Sequence, residues 1–132
     1  MTDVEALMWN VDKDPYLSSN FGTVTIFDQP VDAERLRPRL ERMVDKVPRL
    51  RQRVAPVLGR LAPPEWQDDP DFDLDYHLRH LALPAPGDTR QLFDLATRIV
   101  ADPFDRTRPL WEFVIVDGLA DGRGAMVQKM HH

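Results

Sequence analysis

The chain has 132 residues, no cysteine, twelve prolines and a formal net charge of −5 at pH 7. This length normally forms one domain with a hydrophobic core of its own. The acidic balance argues against nucleic-acid binding, because phosphate backbones require a basic surface. The lack of cysteine excludes disulfides, thiolate catalysis and Cys-based zinc sites. The chain has no signal-peptide pattern and no apolar run of ~20 residues, so we expect a cytoplasmic protein, with peripheral membrane contact as an alternative.

The first half of the chain predicts two helices separated by a strand. Apolar spacing indicates a short helix over residues 3–10, and a run of β-branched and aromatic residues indicates a strand over 23–27. The strongest helix is predicted from Asp32, a suitable N-cap, to about Val47, and Pro48 marks its end.

The middle of the chain, over residues 54–87, is rich in proline and predicts irregular structure. Loops are predicted at 63–66 and 68–70. Residues 72–78 are different, because apolar and polar side chains alternate there as they do in a half-buried strand. His77 and His80 are interpreted as solvent-facing or loop residues, since no third metal ligand stands at a suitable spacing.

The last third predicts one helix followed by two strands. Asp88 or Thr89 can cap a helix from residue 89 to about 101, and Asp88 with Gln91 resembles a capping box. The run 110–116 is almost wholly apolar, which predicts a strand buried on both faces. A turn-rich loop then leads to a second strand over 125–132. Together these elements predict an α/β fold, with a mixed sheet and flanking helices.

The chain closes on two adjacent histidines, His131 and His132. Adjacent side chains on a strand point to opposite faces, so only one of them can face a given pocket. The alternation places His132 with Met126, Gln128 and Met130. An imidazole accepts a proton near neutral pH, which suits the general base that deprotonates an alcohol or amine.

Several segments together resemble the bacterial wax ester synthase/acyl-CoA:diacylglycerol acyltransferase family. That family has a Pro-Leu-Trp motif upstream of an active-site motif His-His-x-x-x-Asp-Gly. The matching segments in this chain are Pro48 to Arg53, Phe72 to Leu78, Pro103-Phe104-Asp105, Pro109-Leu110-Trp111 and His131-His132. The resemblance implies one lobe of the two-lobed fold shared by CoA-dependent acyltransferases and condensation domains.

The resemblance also implies roles for particular residues. His132 matches the general base that deprotonates diacylglycerol or a long-chain alcohol for attack on an acyl-CoA thioester, and His131 matches an orienting position. Pro109, Leu110 and Trp111 match the motif that shapes the substrate channel or supports the fold; for Trp111, a core aromatic is the stronger interpretation. Acyl-CoA is then a substrate, and no metal or other cofactor is expected, because the thioester already activates the acyl group.

The chain departs from the family pattern after His132, because the motif's Asp and Gly have no counterpart in this sequence. Residues 1–132 are therefore expected to form an N-terminal lobe that ends after the histidine pair. A complete site would also need a C-terminal lobe as partner, and catalysis suffers when a base is not held in place. We expect little or no acyl transfer by the chain alone.

Two other functions remain open at this point. One is a non-catalytic, lipid-associated or partner-binding half of a split protein, with contact to a membrane or lipid droplet. The other is a condensation-type acyltransferase that uses carrier-protein thioesters. A local basic cluster could meet a phosphate-bearing ligand or an anionic lipid surface, although a solvated face is the stronger interpretation; it consists of Lys46, Arg49, Arg51, Arg53 and Arg60. Arg106 and Arg108 could bind the phosphates of CoA, but surface ion pairs near Asp105 are the stronger interpretation.

Overall fold

The computed structural model describes residues 1–11, 19–55 and 63–131. This part of the chain contains helices α1 to α4, strands β1 to β6 and one 3₁₀ turn. The helices are α1 (Asp3–Val11), α2 (Ala33–Lys46), α3 (Leu74–His77) and α4 (Thr89–Ala101). The strands are β1 (Asn20–Phe27), β2 (Gln52–Ala55), β3 (Glu65–Asp68), β4 (Leu78–Ala82), β5 (Trp111–Asp117) and β6 (Gly124–His131), and the 3₁₀ turn is Pro48–Arg51.

The main sheet has four strands in the order β1-β6-β5-β4. Strands β1, β6 and β5 pair antiparallel, whereas β4 and β5 are parallel. A parallel pair needs a long crossover, and α4 supplies it. The short strands β2 and β3 form a separate antiparallel pair. The predicted α/β fold with a mixed sheet and flanking helices is therefore confirmed.

The ends of α2 and α4 are set by the capping residues that the sequence indicates. The Asp88 carboxylate accepts a hydrogen bond from the Gln91 backbone N–H, and the Gln91 side chain accepts one from the Asp88 N–H, both at 2.8 Å. The Asp32 carboxylate accepts from the backbone N–H groups of Glu34 and Arg35. These bonds satisfy donors that the first helical turn leaves free. Both predicted caps are confirmed.

The two faces of the main sheet bury different side chains. On the face covered by α4, here the α4 face, the core is aliphatic and consists of Leu83, Leu92, Ala96, Ile99, Val114, Val116, Ala125 and Val127. On the opposite side, here the α2 face, the core combines Leu40, Val44, Leu50 and Leu74 with Trp111. Side chains alternate between these faces along β6, which places Met126, Gln128 and Met130 on the α2 face.

Two predictions for the middle of the chain are wrong. Residues 65–68 form β3 rather than a loop, because Trp66 pairs with Val54 of β2. Residues 72–78 do not form one strand. The Asp73 carboxylate accepts the backbone N–H of Asp75 and caps the helical turn α3, so that β4 begins only at Leu78. The part of the predicted irregular stretch that covers residues 56–62 lies outside the described residues.

Candidate functional site

A cavity of about 110 Å³ lies at the end of β6. It is enclosed by side chains from α1, the 3₁₀ turn, β3, β5 and β6. The residues that line it are Met1, Glu5, Trp9, Arg49, Leu50, Trp66, Leu110, Trp111, Met130 and His131. Three tryptophans from distant parts of the sequence therefore meet beside the first histidine of the terminal pair.

Three of the predicted site residues come together at this cavity: Leu110, Trp111 and His131. The backbone N–H of His131 donates to the Leu110 carbonyl at 3.1 Å, which ties the end of β6 to the start of β5. The half-buried His131 ring has the Trp9 ring edge-on at a centroid distance of 6.3 Å. Pro109 is fully buried next to Leu110 but does not line the cavity. His132 lies outside the described residues, so its role stays a prediction.

The Trp111 ring is fixed from several directions. Its indole N–H donates to the Leu50 carbonyl at 2.8 Å, and only 2% of the residue is exposed. The His77 ring stacks on it at a centroid distance of 4.6 Å and an interplanar angle of 16°, and Phe72 stacks with His77 in turn. Trp111 is thus a core aromatic whose surface also borders the cavity.

His77 is buried, contrary to the solvent-facing or loop position predicted for it. The residue is 1% exposed, and its Nδ1 lies 2.7 Å from the Trp111 carbonyl oxygen. Because a carbonyl only accepts, Nδ1 must carry the proton in this contact. Burial lowers the pKa of His77, since desolvation disfavours the imidazolium. His80 is exposed as predicted and contacts the Asp117 carboxylate.

A charged pair lies on one side of the cavity. The Arg49 guanidinium lies 3.2 Å from a Glu5 carboxylate oxygen and 4.1 Å from the centroid of the Trp66 ring. A hydrogen bond from the Thr2 backbone N–H, together with Arg49, lowers the pKa of Glu5 to about 2. Glu5 is therefore ionised at neutral pH. The Trp66 indole N–H is buried and has no acceptor among the described residues.

The outcomes differ among the other basic residues named above. Arg108 pairs with Asp105 at 3.6 Å, as the ion-pair interpretation predicts for it. Arg51, which was interpreted as part of a solvated face, pairs with Asp45 at 2.5 Å. Arg106 lies over the Trp9 ring at 3.4 Å from its centroid and donates to the Trp9 carbonyl. Arg60 lies outside the described residues.

Lys129 is a buried cation two residues before His131. It is 1% exposed, its ammonium donates to the Asp102 carbonyl at the end of α4, and it lies 4.4 Å from the centroid of the Phe104 ring. Burial lowers the pKa of Lys129. The Lys129 side chain thus connects the end of β6 to the segment that follows α4.

Sequence patterns did not identify Trp9, Glu5, Arg49 or Trp66 as cavity residues. They belong to three separate elements, α1, the 3₁₀ turn and β3, and only the tertiary fold brings them together. A weak signal exists in the composition, since tryptophan and arginine are common in binding surfaces. Among the described residues, no three His, Asp or Glu side chains lie close enough to hold a metal ion. No helix in the described ranges has the length and apolarity that a bilayer crossing requires.

Comparison with known sequences supplies the context for this cavity. The family model described as the wax ester synthase/diacylglycerol acyltransferase catalytic domain matches residues 1–132. The chain is 46% identical over 98 residues to the "probable diacyglycerol O-acyltransferase tgs3" of Mycobacterium tuberculosis, an alignment that covers 74% of this chain and 36% of that protein. It is 43% identical over 116 residues to the tgs2 protein of the same organism, with 84% and 26% covered.

Solved structures agree with this assignment. The wax ester synthase/diacylglycerol acyltransferase from Marinobacter aquaeolei VT8 superposes with a TM-score of 0.79 and 26% identity, covering 100% of this chain and 34% of that one. The first condensation domain of the calcium-dependent antibiotic synthetase has the same fold, with a TM-score of 0.79 and 22% identity over 100% of this chain and 32% of that one. The chain spans about a quarter to a third of the length of these relatives. With its whole length matched and its fold shared, the chain belongs to the wax ester synthase/diacylglycerol acyltransferase family.

Proposed function

We propose that this chain contributes the proton-accepting lobe of an O-acyltransferase of storage-lipid synthesis. The donor would be an acyl-CoA, and the acceptor would be diacylglycerol or a long-chain alcohol. The observation that carries the proposal is the family match over residues 1–132. The cavity supports it, because His131 and the Leu110-Trp111 pair meet there at the end of β6.

In the proposed reaction, His132 is the general base. Its imidazole accepts the hydroxyl proton of the acceptor while the oxygen attacks the thioester carbonyl carbon. The tetrahedral intermediate then expels the CoA thiolate, which takes the proton back from the imidazolium. An ester and free CoA are the products, and the base returns to its neutral form. The activated thioester supplies the driving force, so the proposal includes no cofactor.

His131, Trp111 and Leu110 would act on this reaction by position. The His131 backbone bond to Leu110 fixes the end of β6, and the stacked, hydrogen-bonded Trp111 gives the cavity a rigid wall. General-base catalysis depends on holding the base within hydrogen-bond reach of the hydroxyl. The last described residues of β6 are held by such contacts and would support a base that follows them.

The proposal treats residues 1–132 as the N-terminal lobe of a two-lobed enzyme. The support is the coverage, since the chain spans 34% of the Marinobacter enzyme. A second lobe would complete the tunnel for both substrates. The lobe alone should therefore show little turnover. We further propose a cytoplasmic protein that contacts membranes or lipid droplets peripherally, where diacylglycerol is found.

A chimera tests the proposed function directly. This chain would replace the segment that it matches in the Marinobacter enzyme, and the product would be assayed with palmitoyl-CoA and either hexadecanol or dioleoylglycerol. Ester formation by the chimera, with little formation by the 132-residue chain alone, is the expected result. A folded chimera without ester formation would contradict the proposal, and so would rapid turnover by the chain alone.

A non-catalytic association module is the second candidate, and one observation favours it. Val4 and Leu7 lie one turn apart on α1 and are 66% and 63% exposed, so α1 presents an apolar strip beside the cavity. A purified chain that self-associates through this strip, and loses the association in Val4→Lys/Leu7→Lys, would support this alternative.

A further inference from the structure

A basic stripe runs along one side of α2. Arg35, Arg39, Arg42 and Lys46 follow one another at intervals of four, three and four residues, which places them on one face of the helix. All four are exposed. Eleven residues of α-helix extend over roughly 16 Å. The stripe is notable in a chain whose net charge is −5.

The cations of this stripe are largely unpaired. Arg35 pairs with Asp32 at the start of the helix, at 3.6 Å. Within the described ranges, Arg39, Arg42 and Lys46 form no hydrogen bond or ion pair. The acidic residues of α2 lie elsewhere on the helix, and Glu41 pairs with Arg37 on that other side. The stripe therefore keeps its positive charge available for an anion.

An apolar groove of about 290 Å³ borders the first half of the stripe. Its floor and walls come from Phe27 at the end of β1, Val31, Leu36 and Met126, and its polar lining is Asp32, Arg35 and Arg39. Because Asp32 pairs with Arg35, Arg39 is the lining cation left for an anion. This volume is close to the lower limit for small-molecule sites. Apolar walls with guanidinium groups beside them fit a ligand that carries both phosphate and a flexible organic chain.

The groove and the cavity lie at opposite ends of the same helix. The first turns of α2 border Met126, whereas Val44 and Leu50, near its last turn, pack in the cluster that contains Trp111 and Met130. Helix α2 therefore runs in the same direction as β6. From Met126 to His131 the strand covers about 17 Å. A ligand held by its phosphates at the groove could thus extend along α2 toward the end of β6.

We propose that the groove and the basic stripe of α2 bind the phosphate-bearing end of the acyl-CoA donor. The inference rests on the proposed function for the identity of the thioester. Arg39 and Arg42 would contact the phosphates, and the pantetheine arm would run along the apolar wall toward the cavity. A bilayer surface is disfavoured, because the apolar side chains line a concavity rather than protruding from the surface.

Binding of coenzyme A to the 132-residue chain tests the assignment by titration calorimetry. Arg39→Ala/Arg42→Ala should raise the Kd about tenfold, through the loss of charge-assisted hydrogen bonds. Arg90→Ala/Arg98→Ala is the matched control, because it removes two exposed arginines from α4 on the other side of the sheet. This control should bind as the parent chain does. Pantetheine, which lacks the phosphates, should bind weakly and equally to all three proteins.

Three results would overturn the proposal. The first is no saturable binding of coenzyme A by the parent chain, and the second is equal affinity in the two double variants. The third is loss of binding to phosphatidylglycerol vesicles in Arg39→Ala/Arg42→Ala while the Kd for coenzyme A is unchanged, which would assign the stripe to a lipid surface. Thermal unfolding of each variant checks that the fold is intact. Because the titration needs no turnover, its outcome is independent of whether the chimera forms ester.

Discussion

The two faces of the main sheet differ in what they bury and in what surrounds them. The α4 face is closed by aliphatic side chains, and Val114, Val116 and Val127 are fully inaccessible there. The α2 face buries Trp111 against His77 and carries Gln128, whose side-chain oxygen accepts hydrogen bonds from Thr23 and Thr25. Aliphatic packing provides stability without directional requirements, whereas each polar or aromatic group on the α2 face has specific partners.

This difference indicates that the two faces have different roles. The α4 face stabilises the sheet, whereas the α2 face carries the proposed donor groove and is the predicted location of the base. Strand alternation assigns His132 to the face of Gln128 and Met130, which is a prediction from the sequence. Changes on the α4 face should therefore alter stability alone, whereas changes on the α2 face should also alter the site.

The largest stability effect is expected from Trp111→Ala. Removing a large, 2% exposed aromatic should lower the free energy of unfolding by about 3–5 kcal/mol. Trp111→Phe keeps most of the volume but leaves the Leu50 carbonyl without its donor, and should cost about 1–3 kcal/mol. Urea unfolding measures both. Equal losses in the two variants would show that the indole hydrogen bond, rather than the packing, dominates.

Lys129 is a polar residue buried on the α4 face, where it is 1% exposed. Lys129→Ala should cost about 2–4 kcal/mol, because it leaves a cavity and an unpaired Asp102 carbonyl. Lys129→Met keeps the volume and should cost less than about 1.5 kcal/mol. Chemical denaturation of the two variants gives the comparison. If Met is as damaging as Ala, the ammonium contacts matter more than the filled volume.

A substitution at Gly22 tests how closely α4 packs on β1. A Cβ built at this position would lie 2.3 Å from Cγ2 of Val100 and 3.2 Å from the Gln128 carbonyl oxygen. Gly22→Ala should therefore destabilise the fold by about 1–3 kcal/mol through overpacking. Adding Val100→Ala should restore part of the loss, and thermal unfolding of the single and double variants reads this out. A neutral Gly22→Ala would mean that the contact is looser than described.

The smallest effect is a pH dependence that originates on the α2 face. Burial lowers the pKa of His77 below 6.5, its value in the unfolded chain. The unfolded chain therefore binds this proton first, and the stability that His77 contributes above pH 6.5 is lost as the pH falls toward its folded pKa. His77→Phe should be less stable at pH 7 by about 0.5–1.5 kcal/mol, through the lost bond to Trp111.

The same variant should show a weaker stability loss between pH 7 and pH 5 than the parent chain. Glu5 does not obscure this comparison, because its pKa falls from 4.5 to about 2 and it titrates at lower pH. Urea midpoints at several pH values measure the difference. Parallel pH profiles in the two proteins would contradict the assignment of the effect to His77.

The parts of the fold predicted correctly from the sequence depend on short-range signals. The Asp88–Gln91 capping box and the Asp32 cap act within three residues, and both helices begin where these residues indicate. The alternation over 72–78 predicted a single strand, which is wrong. Asp73 caps a helical turn there, and a helical turn followed by a strand satisfies the same apolar pattern. Trp66 was predicted in a loop because its pairing partner, Val54, lies twelve positions earlier, before a proline-rich stretch.

The lining of the candidate site could be predicted only in part, and the roles of its residues stay predictions. Leu110, Trp111 and His131 are recognised from their motifs, and the structure brings all three to one cavity. Trp9 and Arg49 reach the same cavity through the packing of α1 and the 3₁₀ turn, which leaves no periodic signal in the sequence. The burial of His77 follows from contacts with Phe72 and Trp111, which depend on the pairing of β4 with β5.

We propose His132, the second histidine of the terminal pair, as the base for acyl transfer. The most direct test is kcat for the chimera with palmitoyl-CoA and hexadecanol, measured for the parent, His131→Ala and His132→Ala. Loss of a general base typically lowers the rate by about 10²–10⁴-fold, and we predict this loss for His132→Ala with a smaller loss for His131→Ala. Turnover in His132→Ala within about threefold of the parent would contradict the account, since even a weak base contributes more than that.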